Sequence, residues 1–149
     1  MNGWLLDTNI VSLLAPKKDG GPKLSSDLAA WMRKHTDSLF LPAISITEIR
    51  AGIRKLRRSG GEARSADLEL WLGNLVSNYG DRILPVEVKT AIVAGDIADY
   101  ATAAGRNPGL ADILVAATAQ RHGLCLLTAN TKHFEHLSLN IQVRNPLDQ

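Results

Sequence analysis

Short apolar runs, each followed by a stretch of helical periodicity, recur along this chain, and that rhythm restricts the available folds more than any other feature. The runs are Trp4-Leu5-Leu6, Leu39-Phe40-Leu41-Pro42, Arg82-Ile83-Leu84-Pro85-Val86 and Leu124-Cys125-Leu126-Leu127-Thr128, with a weaker one at Ile141-Gln142-Val143. Strands that do not alternate with polar residues are covered on both faces, as in parallel sheets. Between the runs, apolar residues fall at helical spacing after Asn9 and in the segments 26–34, 45–58, 63–76, 89–104 and 110–122, with Gly60 and Gly123 suited to helix stops. Strand alternating with helix predicts right-handed crossovers and an α/β fold, a central parallel sheet of about five strands flanked by helices. With 149 residues the chain is expected to form one domain, 1–149, with a substantial core. The polar, glycine-rich segment 16–23 reads as a mobile loop.

Composition excludes several classes. Hydrophobic residues make up 45% and charged residues 21%, an ordinary balance for a soluble globular protein. Cys125 is the only cysteine, so neither an intrachain disulfide nor a cysteine-based metal site is available, and a reducing, cytoplasmic setting fits. No run approaches the roughly 18 to 20 apolar residues that span a bilayer, and no basic region followed by an apolar core opens the chain. Membrane insertion and secretion are therefore disfavoured. A net charge of +2 permits contact with nucleic acid without requiring it.

The first apolar run stops at an acid, Asp7, followed by Thr8 and Asn9. Ligands of open parallel sheets sit beyond the carboxyl ends of the strands, so Asp7 is expected to face the functional crevice. The plainer alternative is that Asp7, Thr8 or Asn9 caps the next helix. Glu48 is predicted in the first turn of the helix after the second run, and Asp112 in the first turn after the break Asn107-Pro108-Gly109. All three acids would then meet at one sheet edge. Carboxylates gathered there repel one another, and a divalent cation that favours oxygen ligands, Mg²⁺ or Mn²⁺, neutralises them. Such an ion activates water, orients a phosphate and screens the charge that develops when a phosphodiester is cut. Two alternatives stay open: Ser45-Ile46-Thr47-Glu48 fits a capping box, and Asp112 suits the positive end of its helix.

Four segments in order, Leu5-Leu6-Asp7-Thr8-Asn9, Ile44 to Gly52, Gly109 to Ala119 and Leu127-Thr128-Ala129-Asn130-Thr131-Lys132-His133-Phe134, resemble successive motifs of the PIN-domain family. Their wording is most similar to the VapC ribonuclease toxins and the FitB group of bacterial toxin–antitoxin systems, and the likeness covers almost the whole chain. The resemblance implies a three-layer PIN-like fold and a Mg²⁺- or Mn²⁺-dependent endoribonuclease, with Asp7, Glu48 and Asp112 as the acidic metal-site residues. Asn130 stands where PIN domains often carry aspartate; its neutral carbonyl would contribute to catalysis through water or another ligand rather than by binding metal directly. Thr8, Asn9 and Thr128 would hydrogen-bond the carboxylates or bound water, with turn formation as their plainer role. His133 occupies a place where related sequences often carry an acid, and no role is assigned to it.

From Arg50 to Arg58 the chain carries Arg50, Arg54, Lys55, Arg57 and Arg58 and no acid, a basic face that suits RNA phosphates or simply solvent. No paired-aromatic RNA-recognition motif is present, so base specificity is not legible. The resemblance further implies a homodimer inhibited by a cognate VapB-like antitoxin, with DNA met only indirectly through that antitoxin. Trp31, Trp71 and the leucines of 63–76 are compatible partner surfaces. Competing readings are a metal-dependent phosphatase, which needs a second aspartate where this chain has Asn9, and a non-catalytic PIN-like binding module.

Overall fold

A computed structural model describes residues 3–148. Five parallel strands, β1 (Trp4–Leu6), β2 (Leu39–Pro42), β3 (Ile83–Leu84), β4 (Cys125–Leu127) and β5 (Val143–Arg144), form one sheet in the order β3-β2-β1-β4-β5. Among the described residues the α-helices are α1 (Thr8–Val11), α2 (Ser26–Lys34), α3 (Ala43–Arg58), α4 (Glu62–Tyr79), α5 (Val88–Ala103) and α6 (Leu110–His122). β1 is the central strand: Leu5 registers with Phe40 in β2 on one side and with Leu126 in β4 on the other.

Side chains alternate across the sheet and so build two separate cores. Leu5 and Leu126 point into one layer, against Ala94, Ile97 and Ala101 of α5 and Ile113, Ala116 and Ala117 of α6. Leu6, Cys125 and Leu127 point into the other, against Ile10, Leu28, Met32, Ile49, Ile53, Leu72 and Leu75. The result is a three-layer α/β architecture, helices on both faces of a parallel sheet, as the apolar runs predict. Among the described residues no helix is long and apolar enough to cross a membrane.

Several boundaries differ from the sequence expectation, and one bears on the site. α3 begins at Ala43, directly after Pro42, not at Ser45. Proline's fixed φ, here −77°, lets the strand pass straight into helix. Its first turn therefore contains no acid, and Glu48 lies in the second turn rather than the first. The capping box falls with that shift, because Ser45 is inside the helix and Pro42 is the cap residue. β3 is shorter than 82–86: Arg82 ends a 3₁₀ turn, Gly80–Arg82, with its guanidinium donating to the carbonyls of Thr36 at 2.6 Å and Leu39 at 2.9 Å and lying over the Tyr79 ring, and Pro85 has no N–H to continue the ladder. β5 forms at Val143–Arg144 rather than 141–143, because those two residues register with Leu126 and Leu127. Segment 16–23 is drawn together by Lys17 N–H donating to Gly21 O, and Arg64 of α4 donates to Pro16 O at 2.6 Å.

Gly3 enters β1 with φ 135°, and a Cβ built there would land against the Ser38 carbonyl oxygen. Gly3→Ala is expected to destabilise the protein by about 1–3 kcal/mol, read as a lower midpoint in denaturant unfolding with an unchanged slope.

Candidate functional site

Parallel strands deliver their following residues to one edge, and the polar residues after β1, β2 and β4 meet there. Asp7 closes β1, its N–H donating to Leu127 O at 2.9 Å and its carbonyl accepting from Ile10 and Val11. The side chain is 5% exposed. Three donors hold it: Thr8 N–H reaches Oδ1 at 2.8 Å, while the Thr128 hydroxyl at 2.8 Å and Asn9 Nδ2 at 3.1 Å both reach Oδ2. Asp7 thus serves as the N-cap of α1 and as a buried, oriented carboxylate.

The second donor set comes from far along the chain. Thr128 is wholly buried, accepts from Asn130 N–H at 3.0 Å and lies 3.3 Å from Asn9 Nδ2. Asn9 closes the web by accepting Ala129 N–H on Oδ1 at 2.9 Å. All of Asn9's amide is therefore engaged in joining the turn after β1 to the turn after β4. Asn130 enters this web through its backbone.

Glu48 approaches from α3. The Thr8 hydroxyl donates to its Oε1 at 2.6 Å, and Ser45 Oγ stands 2.7 Å from the same Thr8 oxygen. A carboxylate only accepts, so Thr8's single proton goes to Glu48 and Ser45 must be the donor to Thr8. Ser45 is fully buried. The ordered relay Ser45 to Thr8 to Glu48 was not read from the sequence, where Ser45's only signal was the apparent capping box. A cleft of about 240 Å³ opens beside this relay, with Thr8, Glu48, Lys23 and Trp71 in its walls.

Asp112 sits in the first turn of α6 and its charge opposes that of Asp7. His133 Nδ1 lies 3.1 Å from Asp112 Oδ2, so the histidine left without a role meets one of the predicted acids. Among the described residues, no group of three or more His, Cys, Asp or Glu side chains stands close enough to hold one metal ion. Asp112 instead adds a like charge felt at Asp7, and the third acid, Glu48, is held by the hydroxyl of Thr8, whose backbone N–H holds Asp7. These are hard oxygen donors, and Mg²⁺ typically keeps several waters and takes one or two protein carboxylates.

The basic face differs from its sequence reading. Glu69 of α4 meets both Arg50 at 3.3 Å and Arg54 at 3.1 Å, so those two arginines spend their charge on a neighbouring helix. Lys55, Arg57 and Arg58 make no ion pair among the described residues. At 1.5 Å rise per residue they lie roughly 10–15 Å along α3 from Glu48.

Burial, chiefly, and then the Asp112 charge push the Asp7 carboxyl above its ordinary value, while the bonds from Thr128, Thr8 and Asn9 pull it back only in part. Folded Asp7 therefore binds its proton more tightly than unfolded Asp7, and its ionisation subtracts stability as pH rises from the ordinary value of 3.8 through the raised one. Over that window the metal-free protein is expected to lose stability relative to Asp7→Asn, measured by denaturant unfolding at a series of pH values. A difference that stays flat would show that Asp7 is not so perturbed.

The PIN domain profile matches residues 4–138. Toxin FitB of Neisseria gonorrhoeae is 29% identical over 143 residues, 95% of this chain and 96% of the relative. VapC ribonuclease Y4jK of Sinorhizobium fredii is 29% identical over 138 residues, covering 92% and 94%. The crystal structure of FitAcB from Neisseria gonorrhoeae superposes with a TM-score of 0.80 at 29% identity, over 98% of this chain and 99% of that one.

Proposed function

This chain belongs to the PIN-domain family, and from that premise we propose that it is a divalent-metal-dependent endoribonuclease, the toxin of a toxin–antitoxin pair. The observation that carries the reading is the Asp7 carboxylate, taken out of water at the carboxyl edge of the sheet, oriented through both oxygens and facing the like charge of Asp112. Family and relatives support it, since one similar protein is named a ribonuclease and another a toxin.

Asp7 and Asp112 would hold Mg²⁺ or Mn²⁺, with Glu48 as the third carboxylate of the set. When bound, such an ion lowers the pKa of a water and screens phosphoryl charge. The chain's own residues do the positioning. Thr128 and Asn9 fix which face Asp7 presents, and the Ser45–Thr8 relay fixes Glu48. Asn130, tied to Thr128 through its backbone, would contribute its neutral amide through water. Lys55, Arg57 and Arg58 would bind RNA phosphates, an attraction that weakens with salt. A phosphatase built on this edge would use an acid at position nine, where Asn9 is already committed on both sides of its amide.

In this reading a cognate antitoxin restrains the enzyme in the cytoplasm, and DNA is met only through that antitoxin. A second copy would pack on exposed apolar side chains such as Val88 and Ile92, four residues apart on α5.

Protein freed of partner is expected to cleave a structured RNA in Mg²⁺ or Mn²⁺, and a chelator to stop it. Asp7→Asn and Asp112→Asn should each lower the rate at least ~100-fold, followed as appearance of RNA ends on a gel. Equal cleavage by the wild type and both variants would sink the proposal. Ser45→Ala removes only the donor to Thr8; a roughly tenfold loss of rate is expected, recovered in Ser45→Thr, while Glu48→Ala combined with Ser45→Ala should cost no more than Glu48→Ala alone.

A further inference from the structure

A second concavity lies beside the acidic edge but is not part of it. On the α2 side of the sheet a cavity of about 380 Å³ is walled by Trp4, Trp31, Asp27, Leu127, Arg144 and Asp148. The two indoles form a corner: their centroids are 4.9 Å apart and their planes 78° apart. His35 packs on both rings, at 5.0 Å from Trp4 and 4.6 Å from Trp31, and its Nδ1 lies 2.8 Å from Trp31 O. That carbonyl can only accept, so Nδ1 carries the proton, and the imidazole is anchored. The aromatic corner is thus built before any ligand arrives, which spares a ligand the entropy of ordering it.

Charge identifies what the corner would accept. Asp27 and Asp148 against Arg144 leave the walls one charge negative, and none of the three is in an ion pair among the described residues. A phosphate would face two carboxylates. A guanidinium suits walls of this composition, since it packs on indole rings and forms paired, charge-assisted hydrogen bonds with carboxylates. An ammonium shares the charge but is more strongly hydrated and cannot stack as a plane.

The place matters as well. Leu127, in the cavity wall, accepts the Asp7 N–H, and Arg144 accepts the Thr128 N–H, so the wall and the Asp7 web are built on the same strand ends. We propose that this cavity receives an arginine side chain of a partner peptide and so anchors that peptide alongside the acidic edge. Assigning the peptide to the antitoxin rests on the toxin reading above; the pocket's chemistry does not.

The chain holds three tryptophans, Trp4, Trp31 and Trp71, whose indole N–H signals give a direct readout in a ¹⁵N-labelled sample. The probe is the peptide acetyl-Gly-Arg-Gly-amide, with acetyl-Gly-Gln-Gly-amide as its neutral counterpart. The arginine peptide is expected to move the Trp4 and Trp31 signals saturably and to leave Trp71 in place, while the glutamine peptide moves none. Asp27→Asn should weaken binding roughly fivefold. Arg144→Gln should tighten it, since it removes the one like charge. Absence of saturable shifts, weaker binding in Arg144→Gln, or an unpaired RNA oligonucleotide moving the two signals in preference to the peptide would overturn the proposal, the last pointing to a nucleobase site. RNA cleavage measured on the same samples separates the two readings: binding without cleavage leaves the pocket standing alone, and cleavage without binding removes only the pocket.

Discussion

A carboxylate taken out of water needs hydrogen bonds in its place, and Asp7 draws them from parts of the chain that have no other reason to meet. Thr8 and Asn9 come from the turn that follows it, Thr128 from the turn after β4. Through the Thr8 hydroxyl the same web reaches Ser45 and Glu48 on α3. Breaking the web would leave buried oxygens without donors, so one side chain, Asp7, holds the turns after β1 and β4 in one geometry, and the Thr8 hydroxyl extends that hold to α3. Neighbouring acids can be presented reproducibly because of it.

The web supplies three donors to Asp7 without neutralising its charge. Every donor to Asp7 is neutral, whereas Asp112 adds a like charge. The nearby cationic candidate, His133, leans on Asp112. Elsewhere the protein handles charge differently: Arg50 and Arg54 both converge on Glu69, a local settlement between two packed helices. The contrast separates a surface whose charges are matched internally from an edge that is left negative. On the proposed function, the remaining charge is what a divalent cation would balance.

Much of the fold was legible because it rests on short-range pattern. The segment 26–34 is helix as its apolar spacing requires, 110–122 ends at Gly123 in the left-handed conformation, and the runs around Leu5, Phe40, Leu84 and Leu126 are strands. Boundaries failed where a long-range bond or a proline's fixed φ overrode the apolar pattern. Arg82 left its strand for the carbonyls of Thr36 and Leu39, 46 and 43 residues away. Pro42 started α3 earlier than a serine cap would have, which turned Ser45 from an apparent cap into a buried donor. The basic run at 50–58 misled for a related reason, since the acid that meets two of its arginines belongs to another helix.

Taken alone, the sequence determined a parallel α/β layering and the ends of the strands at which polar residues would gather, because apolar periodicity and helix stops are properties of neighbouring residues. It also marked Asp7, Glu48 and Asp112 as candidate acids for that edge. Only the tertiary structure decided how they are held: a donor to Asp7 that lies 121 residues away, a serine that sets the direction of the Thr8 proton, and a histidine resting on Asp112. Hydrogen bonds between distant segments depend on where the chain returns in space, and local pattern carries no record of that.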